Sequence, residues 1–306
     1  MLISVIFPTY NEEENLKVLH DRLDSVSREL REYQFEFIFV DDCSSDATPQ
    51  LLKQLHDQDK RVKVIRFARN CGSHAALAAG LQLAKGDCAL VMAADLQDPP
   101  EMMEELLNSW KKGNKIVWGV RKQRKKESIF TQFFSRVYYM LMNRLTVVQM
   151  PPLGADVFLA DRIALDAFKQ VTEKHSSIFM TMAWLGFKQS SIFYTKEPRF
   201  SGRSKWTLGK KVKLTLDSLL AFSDVPIRYM SVIGFLIAFI GFGYALYVVQ
   251  CYFQGSPIEG WSSLIIAVLV IGGIQMIMLG ILGEYLWRTF DESRKRPRYI
   301  IEYKIE

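Results

Sequence analysis

Four residues in a row offer the chemistry most worth pursuing: Asp95-Leu96-Gln97-Asp98, followed by Pro99-Pro100. Asp95 and Gln97 present hard oxygens, the donor type that suits Mg²⁺ or Mn²⁺ when substrate phosphates and water complete the coordination shell. The plain alternative for such a D-x-Q-D run is a polar turn. Asp98 is expected to do something else. It stands before Pro99, and a helical pattern of Met102, Met103, Leu106, Leu107 and Trp110 starts there, so it reads as a helix N-cap with proline at the first helical position. Three further clusters carry polar groups after apolar runs: Tyr10-Asn11-Glu12, Asp41-Asp42-Cys43-Ser44 and Gly72-Ser73-His74. One of Asp41 and Asp42 could accept from a base or ribose hydroxyl while the other caps a turn with Ser44 and Ser45. His74 opens a helix beside Gly72, where backbone N–H groups could face a phosphate; it is either a ligand contact or a satisfied structural histidine.

The elements that must hold these groups follow from the apolar runs. Leu2–Phe7, Phe35–Val40, Val62–Phe67, Cys88–Ala94 and Lys115–Gly119 each have strand length and alternate with helical patterns. That alternation predicts an α/β fold, a mostly parallel sheet with helices on both faces. The first helix is expected to be capped by Thr9 or Asn11, with Glu12, Glu13 and Glu14 in its first turn. Ligands of open α/β sheets gather beyond the carboxyl ends of the strands, and the polar clusters stand there. The G-x-G-x-x-G fingerprint and the Walker G-x-x-x-x-G-K-[ST] are absent, which removes the main support for hydride transfer and ATP hydrolysis.

Composition divides the chain further. The 306 residues carry a net charge of +6, and a mean hydropathy close to zero averages two populations. No charged residue lies between Arg228 and Glu259, nor between Glu259 and Glu284. Tyr229–Phe253 and Trp261–Leu282 are long enough to cross a bilayer, for which about 20 apolar residues suffice. Basic residues flank the pair on both sides (Arg203, Lys205, Lys210, Lys211, Lys213 and Arg228 before; Arg288, Arg294, Lys295, Arg296 and Arg298 after), and the loop around Pro257 has none. The positive-inside rule therefore expects both termini in the cytoplasm. No signal peptide is expected, because the first strand begins at once. The four cysteines have no metal-like spacing and fit a reducing compartment. The expected organisation is a catalytic domain over 1–200, a basic juxtamembrane segment over 201–228, two membrane helices over 229–287 and a cytoplasmic tail over 288–306. Ile129–Leu145 reads either as an interfacial amphipathic helix or as a helix on the sheet, and Leu208–Phe222 could lie along an anionic leaflet. Nucleic-acid motifs are absent, so nucleic acid is not an expected partner.

In order, Phe7-Pro8-Thr9-Tyr10-Asn11-Glu12, Asp41-Asp42-Cys43-Ser44-Ser45-Asp46, Arg69-Asn70-Cys71-Gly72-Ser73-His74, Asp95-Leu96-Gln97-Asp98-Pro99-Pro100, Gly119-Val120-Arg121, Ser201-Gly202-Arg203-Ser204-Lys205 and Gly283-Glu284-Tyr285 make the chain resemble the family-2 glycosyltransferases. Within them it is similar to the polyprenyl-phosphate sugar transferases, the branch of bactoprenol glucosyltransferases and dolichol-phosphate mannose synthase. The resemblance implies a GT-A fold, Mg²⁺ or Mn²⁺, a nucleotide-sugar donor, a lipid-phosphate acceptor and direct displacement with inversion. Carried over by position, Pro8, Tyr10, Glu12 and Asp41 would hold the nucleoside, and Asp95 would reach the donor through the metal. His74, from its place at a helix start, and Arg121, as a cation suited to phosphate, complete the expected nucleotide-sugar site. By the same carry-over Asp95 and Gln97 would hold the metal, and Asp156 in Gly154-Ala155-Asp156 stands where the catalytic acid is expected. Two phosphate-bearing substrates also need cations between them, for which Arg124, Arg136, Arg203 and Lys205 are the candidates at the acceptor phosphate. Three positions depart from the family pattern: Ala93 replaces the first acid of D-A-D-L-Q, Cys43 stands where glycine is usual, and Phe158 replaces an arginine.

The function this implies is inverting transfer of a hexose, with glucose from UDP-glucose the first choice, to undecaprenyl phosphate at the cytoplasmic face of a bacterial inner membrane. Two spans look too few to translocate the product, so a separate flippase is expected. Glycines at 234, 241, 243, 272, 273, 280 and 283 would permit the close helix packing of a homo-oligomer. Two other readings stay open. A processive polysaccharide synthase lacks its Q-x-x-R-W signature here, and a catalytically impaired adaptor is kept in view by Ala93 and Phe158.

Overall fold

The computed structural model describes residues 1–122, 155–171, 173, 176–198, 200, 217, 222–223, 225–254 and 260–306. Arg124, Arg136, Arg203, Lys205 and both basic amphipathic segments named above lie outside the described residues, apart from Asp217 and Phe222. The chain divides into two compact units, Met1–Ser218 with Pro297–Glu306, and Leu219–Arg296.

The first unit is built on an eight-stranded sheet. Its strands are β1 (Leu2–Thr9), β2 (Gln34–Asp41), β3 (Val62–Phe67), β4 (Cys88–Val91), β5 (Ile116–Arg121), β6 (Val157–Asp161), β7 (Gln189–Tyr194) and β8 (Ile301–Ile305), in the order β7-β5-β6-β4-β1-β2-β3-β8. The centre, β4-β1-β2-β3, is parallel, and β1 and β2 are apolar and covered on both faces, as central parallel strands must be. Phe7 stacks on Phe39 across that pair with ring centroids 4.9 Å apart. Helices α1 (Leu16–Glu29), α2 (Thr48–Gln58), α3 (Ser73–Leu83) and α4 (Met103–Lys111) make the connections. α3 is a run of small residues because it lies close on β1: a Cβ at Gly80 would meet the Ile6 side chain at 2.3 Å. Beyond β6 come α5 (Arg162–Phe168) and α6 (Ile178–Trp184).

Two strands break the parallel pattern, and both matter for the site. β6 runs antiparallel between β4 and β5, so its first residues stand at the edge where its neighbours end. β8 runs antiparallel to β3 and closes the opposite side of the sheet. Residues 288–306 are therefore more than a tail: the second long helix continues to Ser293, and Ile301–Ile305 rejoins the sheet. Arg298 donates to the Ser176 carbonyl (3.0 Å), and Tyr299 stacks on Phe67 and donates to Gln82 Oε1 (2.5 Å).

The second unit contains α7 (Val225–Phe253) and α8 (Trp261–Ser293). Ile227–Cys251 and Ile266–Ser293 are long and apolar enough to cross a membrane. Phe235, Phe239, Ile240 and Leu286 are exposed along them, an arrangement that suits lipid and not water.

Candidate active site

The carboxyl edge of the sheet collects the ends of β1 to β5 and β7 with the start of β6. Each polar cluster of the sequence arrives there on its own turn. Three non-glycine residues with left-handed backbone sit in these turns: Asn11 (φ 51°) after β1, Cys43 (φ 61°) after β2 and Leu96 (φ 59°) after β4. Asparagine tolerates that region; cysteine and leucine adopt it at a cost of about 1–2 kcal/mol each. Such strain gathers where a fold must aim side chains for function. Cys43 thus takes a conformation that a glycine would adopt freely.

Around Leu96, Asp95 Oδ1 accepts from the Gln97 N–H (3.1 Å), which fixes the two hard-oxygen side chains on one tight turn. Asp95 is largely buried at 8 % exposure, and Gln97 is half-buried. Among the described residues no group of three His, Cys, Asp or Glu side chains could hold a metal. Asp95 and Gln97 therefore fit a hard cation only as a partial ligand set that a diphosphate and water complete, the usual Mg²⁺ arrangement.

Asp98 does not cap a helix. A single 3-10 turn, Pro100–Met102, precedes α4, and neither is capped by a side chain. Asp98 instead turns inward: its Oδ1 accepts from the Tyr194 hydroxyl (2.6 Å), and its Oδ2 faces the Ala93 N–H (3.4 Å). Burial pushes the Asp98 carboxyl above the ordinary carboxylate range against the pull of Lys196 and Tyr194, and burial likewise pushes the Tyr194 phenol up. The first helix departs in the same way. α1 starts at Leu16 with no side-chain cap, and Thr9 and Asn11 do other work: Asn11 Oδ1 accepts from the Ser45 N–H (2.9 Å).

Asp41 is fully enclosed. Its Oδ1 accepts from the Ser44 N–H (3.0 Å), and its Oδ2 takes the Arg66 guanidinium. A carboxylate enclosed this way acts on a ligand through the turn that it holds and not by touching it. Asp42 accepts from the Cys71 and Gly72 N–H groups at 2.6 and 2.8 Å, so those two amides serve a carboxylate of the chain and are not left for a phosphate. His74 Nδ1 accepts from the Ile178 N–H (3.3 Å), and its ring stands edge-on to Phe179. Burial, with Arg298 adding, pulls its pKa down to about 4. The ring is thus neutral at pH 7, with the remaining proton on Nε2, a donor. Pro8, Tyr10 and Glu12 are half-buried at the end of β1, with the Glu12 N–H donating to Thr48 Oγ1 (2.9 Å).

Asp156 immediately precedes β6. Its Oδ2 lies 3.0 Å from Lys196 Nζ and 3.8 Å from Arg121 Nε at the end of β5. Lys196 escaped the sequence reading. The signal was a basic residue two positions beyond the end of a strand, but β7 (Gln189–Tyr194) is too polar to read as one. Phe158 is packed away in the core against Trp118 and Phe179, at 5.6 and 5.4 Å between ring centroids.

A mostly parallel α/β sheet whose carboxyl edge gathers two hard-oxygen side chains, an acid beside two cations and a neutral histidine has the architecture of a GT-A glycosyltransferase. The family model for glycosyl transferase family 2 matches residues 4–167. The chain is 35 % identical over 300 residues to an uncharacterized glycosyltransferase of Synechocystis sp., covering 98 % of this chain and 94 % of that protein. It is 32 % identical over 303 residues to a prophage bactoprenol glucosyl transferase homolog of Escherichia coli (strain K12), covering 99 % of each, and 32 % identical to the bactoprenol glucosyl transferase of Shigella phage SfV, covering 99 % and 98 %. Among solved structures, mannosyl-3-phosphoglycerate synthase from Rubrobacter xylanophilus has the same fold, with a TM-score of 0.51 at 15 % identity over 71 % of each chain. The chain belongs to glycosyl transferase family 2 and is a glycosyltransferase.

Proposed function

We propose that this glycosyltransferase moves a hexose, glucose from UDP-glucose as the first choice, onto undecaprenyl phosphate with inversion, at the cytoplasmic face of a bacterial inner membrane. The observation that carries the reading is Asp156 beside Arg121 and Lys196 on the same sheet edge as Asp95 and Gln97. Two substrates that each bear phosphate repel one another, and a shared edge supplied with cations is what lets them meet. The names of the relatives from Escherichia coli and the Shigella phage support a bactoprenol acceptor.

Asp95 and Gln97 would hold Mg²⁺ or Mn²⁺, which when bound neutralises charge developing on the leaving diphosphate. The nucleophile needs little help, because a phosphomonoester with a second pKa of about 6 is mostly dianionic at pH 7. Asp156 then orients the acceptor and takes any remaining proton. Arg121 offers a forked contact to phosphate oxygens, and His74 a neutral Nε2–H. Tyr10 and Glu12 line the nucleoside end, while Asp41 and Asp42 shape it through the turns that they hold. Arg124, Arg136, Arg203 and Lys205 are proposed for the acceptor phosphate.

The return of β8 supports the membrane topology. Residues up to Ser218 and from Pro297 onward share one sheet unit, so α7 and α8 leave it and come back. Two crossings satisfy that; one does not. Both termini on one side suit that path, and the basic flanks favour the cytoplasmic side. The lipid-linked product would be handed to a separate flippase.

The test is incubation of membranes carrying the full chain with radiolabelled UDP-glucose, Mg²⁺ and undecaprenyl phosphate. Organic-extractable label is the expected result. A water-soluble polymer would instead indicate a processive synthase, and bound donor with no product an adaptor.

A further inference from the structure

The segment leaving β7 is fastened to the turn after β4 at several points. The Tyr194 hydroxyl donates to Asp98 Oδ1 (2.6 Å), the Glu197 N–H donates to the Gln97 carbonyl (2.9 Å), and the Glu197 carboxylate takes Arg22 (2.9 Å), which also binds Glu101 (2.6 Å). Lys196 lies in the middle of this seam. Its side chain is only 14 % exposed, and Nζ lies 3.0 Å from Asp156 Oδ2 and 3.9 Å from Asp98 Oδ1. A lysine with open access to water keeps its ammonium there and lets the stem wander; holding it between carboxylates from two other strand ends costs rotamer freedom and desolvation. Asp98, with no exposed side-chain surface, cannot meet a substrate. Asp156, at 34 %, can.

We propose that Lys196 is a positioning residue for sugar transfer: anchored by the buried Asp98–Tyr194 pair, it holds the Asp156 carboxylate in register with the Asp95–Gln97 turn. The proposal rests on the reading of Asp156 as the group that acts on the acceptor. Asp98 and Tyr194 then serve Asp156 at second hand, and the turn that presents Asp95 and the acid that meets the acceptor are set by one cation. Without it, Asp156 keeps, among the described residues, only the longer Arg121 contact and loses its register with the turn.

The experiment compares the full chain with Lys196→Met, Lys196→Arg and Tyr194→Phe in membranes, measuring label transferred from UDP-glucose to undecaprenyl phosphate, with thermal unfolding of each purified protein alongside. Misplacement of a catalytic group by about 1 Å costs on the order of 100-fold. Lys196→Met is therefore expected to lower kcat by about that factor with the donor KM within about threefold, and Lys196→Arg to recover most of the loss. Tyr194→Phe, which leaves the cation in place, is expected to lower kcat about tenfold. A full kcat in Lys196→Met, or a change confined to donor KM, overturns the proposal while leaving the assignment of function intact. A wild-type chain that transfers nothing to the lipid overturns the reading of Asp156 and this proposal with it. If Lys196→Met no longer unfolds cooperatively, Tyr194→Phe decides: lowered kcat supports the proposal, and unchanged kcat overturns it.

Discussion

Arg66 offers the sharpest test of how the turn after β2 is held at the carboxyl edge. Its guanidinium meets three partners: the Asp41 carboxylate, the Ser44 carbonyl (3.2 Å) and Glu302 on β8 (2.9 Å). The partners are unequal. Asp41 has no exposed surface, whereas Glu302 is about half exposed, and an ion pair open to water contributes about 0.5 kcal/mol. Replacing Arg66 by methionine leaves Asp41 enclosed with a single N–H donor, that of Ser44. Removing one partner of a buried pair costs about 3–5 kcal/mol; the remaining donor places this case near the lower figure. For a domain of this size about 3 kcal/mol is roughly a 6–12 °C fall in Tm. Glu302→Ala should cost about one sixth as much, near 0.5 kcal/mol. The double variant Arg66→Met/Asp41→Asn should recover at least about 1 kcal/mol of the loss, because the amide keeps its oxygen for Ser44 and carries no charge. Thermal and urea unfolding of the purified full chain in detergent, read by near-ultraviolet circular dichroism, measures all four proteins. If Arg66→Met loses less than about 1 kcal/mol, or if the double variant is worse than Arg66→Met, Asp41 is not the enclosed, singly compensated anion described above and the reasoning fails.

The other expectations are simpler to state. Asp95→Asn keeps an oxygen for the Gln97 N–H and so should unfold within about 0.5 kcal/mol of wild type, while label transfer in the presence of Mg²⁺ falls about 100-fold or more. Cys43→Gly should raise stability by about 0.5–1 kcal/mol in urea titration, since it relieves a positive-φ cysteine and gives back part of the gain as unfolded-state entropy. His74 has a folded pKa lowered to about 4 by burial and by Arg298. The unfolded chain, with an ordinary pKa of about 6.5, therefore takes up the proton first as pH falls. Its neutral form should help stability fully above pH 6.5 and lose that contribution between pH 6.5 and 4, on the order of 1 kcal/mol by pH 5 for a half-buried ring; His74→Gln should remove that portion of the pH dependence of Tm.

The parallel centre was legible because Leu2–Phe7, Phe35–Val40 and Val62–Phe67 are mostly apolar runs of strand length, interrupted only by Ser4, Glu36, Lys63 and Arg66, and each is followed by turn residues. The strands outside it were not. β6 is five residues long (Val157–Asp161), and β7 (Gln189–Tyr194) is half-polar because it lies at the sheet's edge, where one face needs no apolar cover. β8 did carry a signal: Ile301-Glu302-Tyr303-Lys304-Ile305 alternates with period two, but it follows a basic stretch and reads as a charged tail. The site was legible to the same depth. Asp95 and Gln97 follow an apolar run, where local pattern points to them, whereas Asp156 was named only through the resemblance to the family and stands just before β6. Asp98 was misread because Asp-Pro-Pro before a helical pattern satisfies every local rule for a cap. What overrides it is a tyrosine 96 residues away, and no local rule sees that partner. Lys196 was missed because the strand it follows, β7, is too polar to announce itself.

The departures Ala93 and Phe158 look different once the neighbouring strands are in place. Val91 on β4 pairs with Phe158 on β6, and the chain reaches Ala93 two residues beyond Val91. Phe158 fills the core between Trp118 and Phe179 with no exposed surface, so a charged group at that position would be buried without a partner in an aromatic cluster. An acid at 93 would stand near the enclosed carboxylate of Asp98, which already faces the Ala93 N–H, and would add like charge where Lys196 is shared between Asp98 and Asp156. Among the described residues this edge already carries three carboxylates: Asp156 beside Arg121 and Lys196, Asp98 beside Lys196, and Asp95, whose charge is felt at Asp98. Restoration of an acid at 93 is therefore informative. Ala93→Asp should lower stability by about 1–2 kcal/mol through repulsion with Asp98 and should not raise kcat, as read by urea unfolding and label transfer on the same preparation. A variant that is both as stable as wild type and faster would mean that the edge lacks a carboxylate, and that the repulsion argued here is wrong.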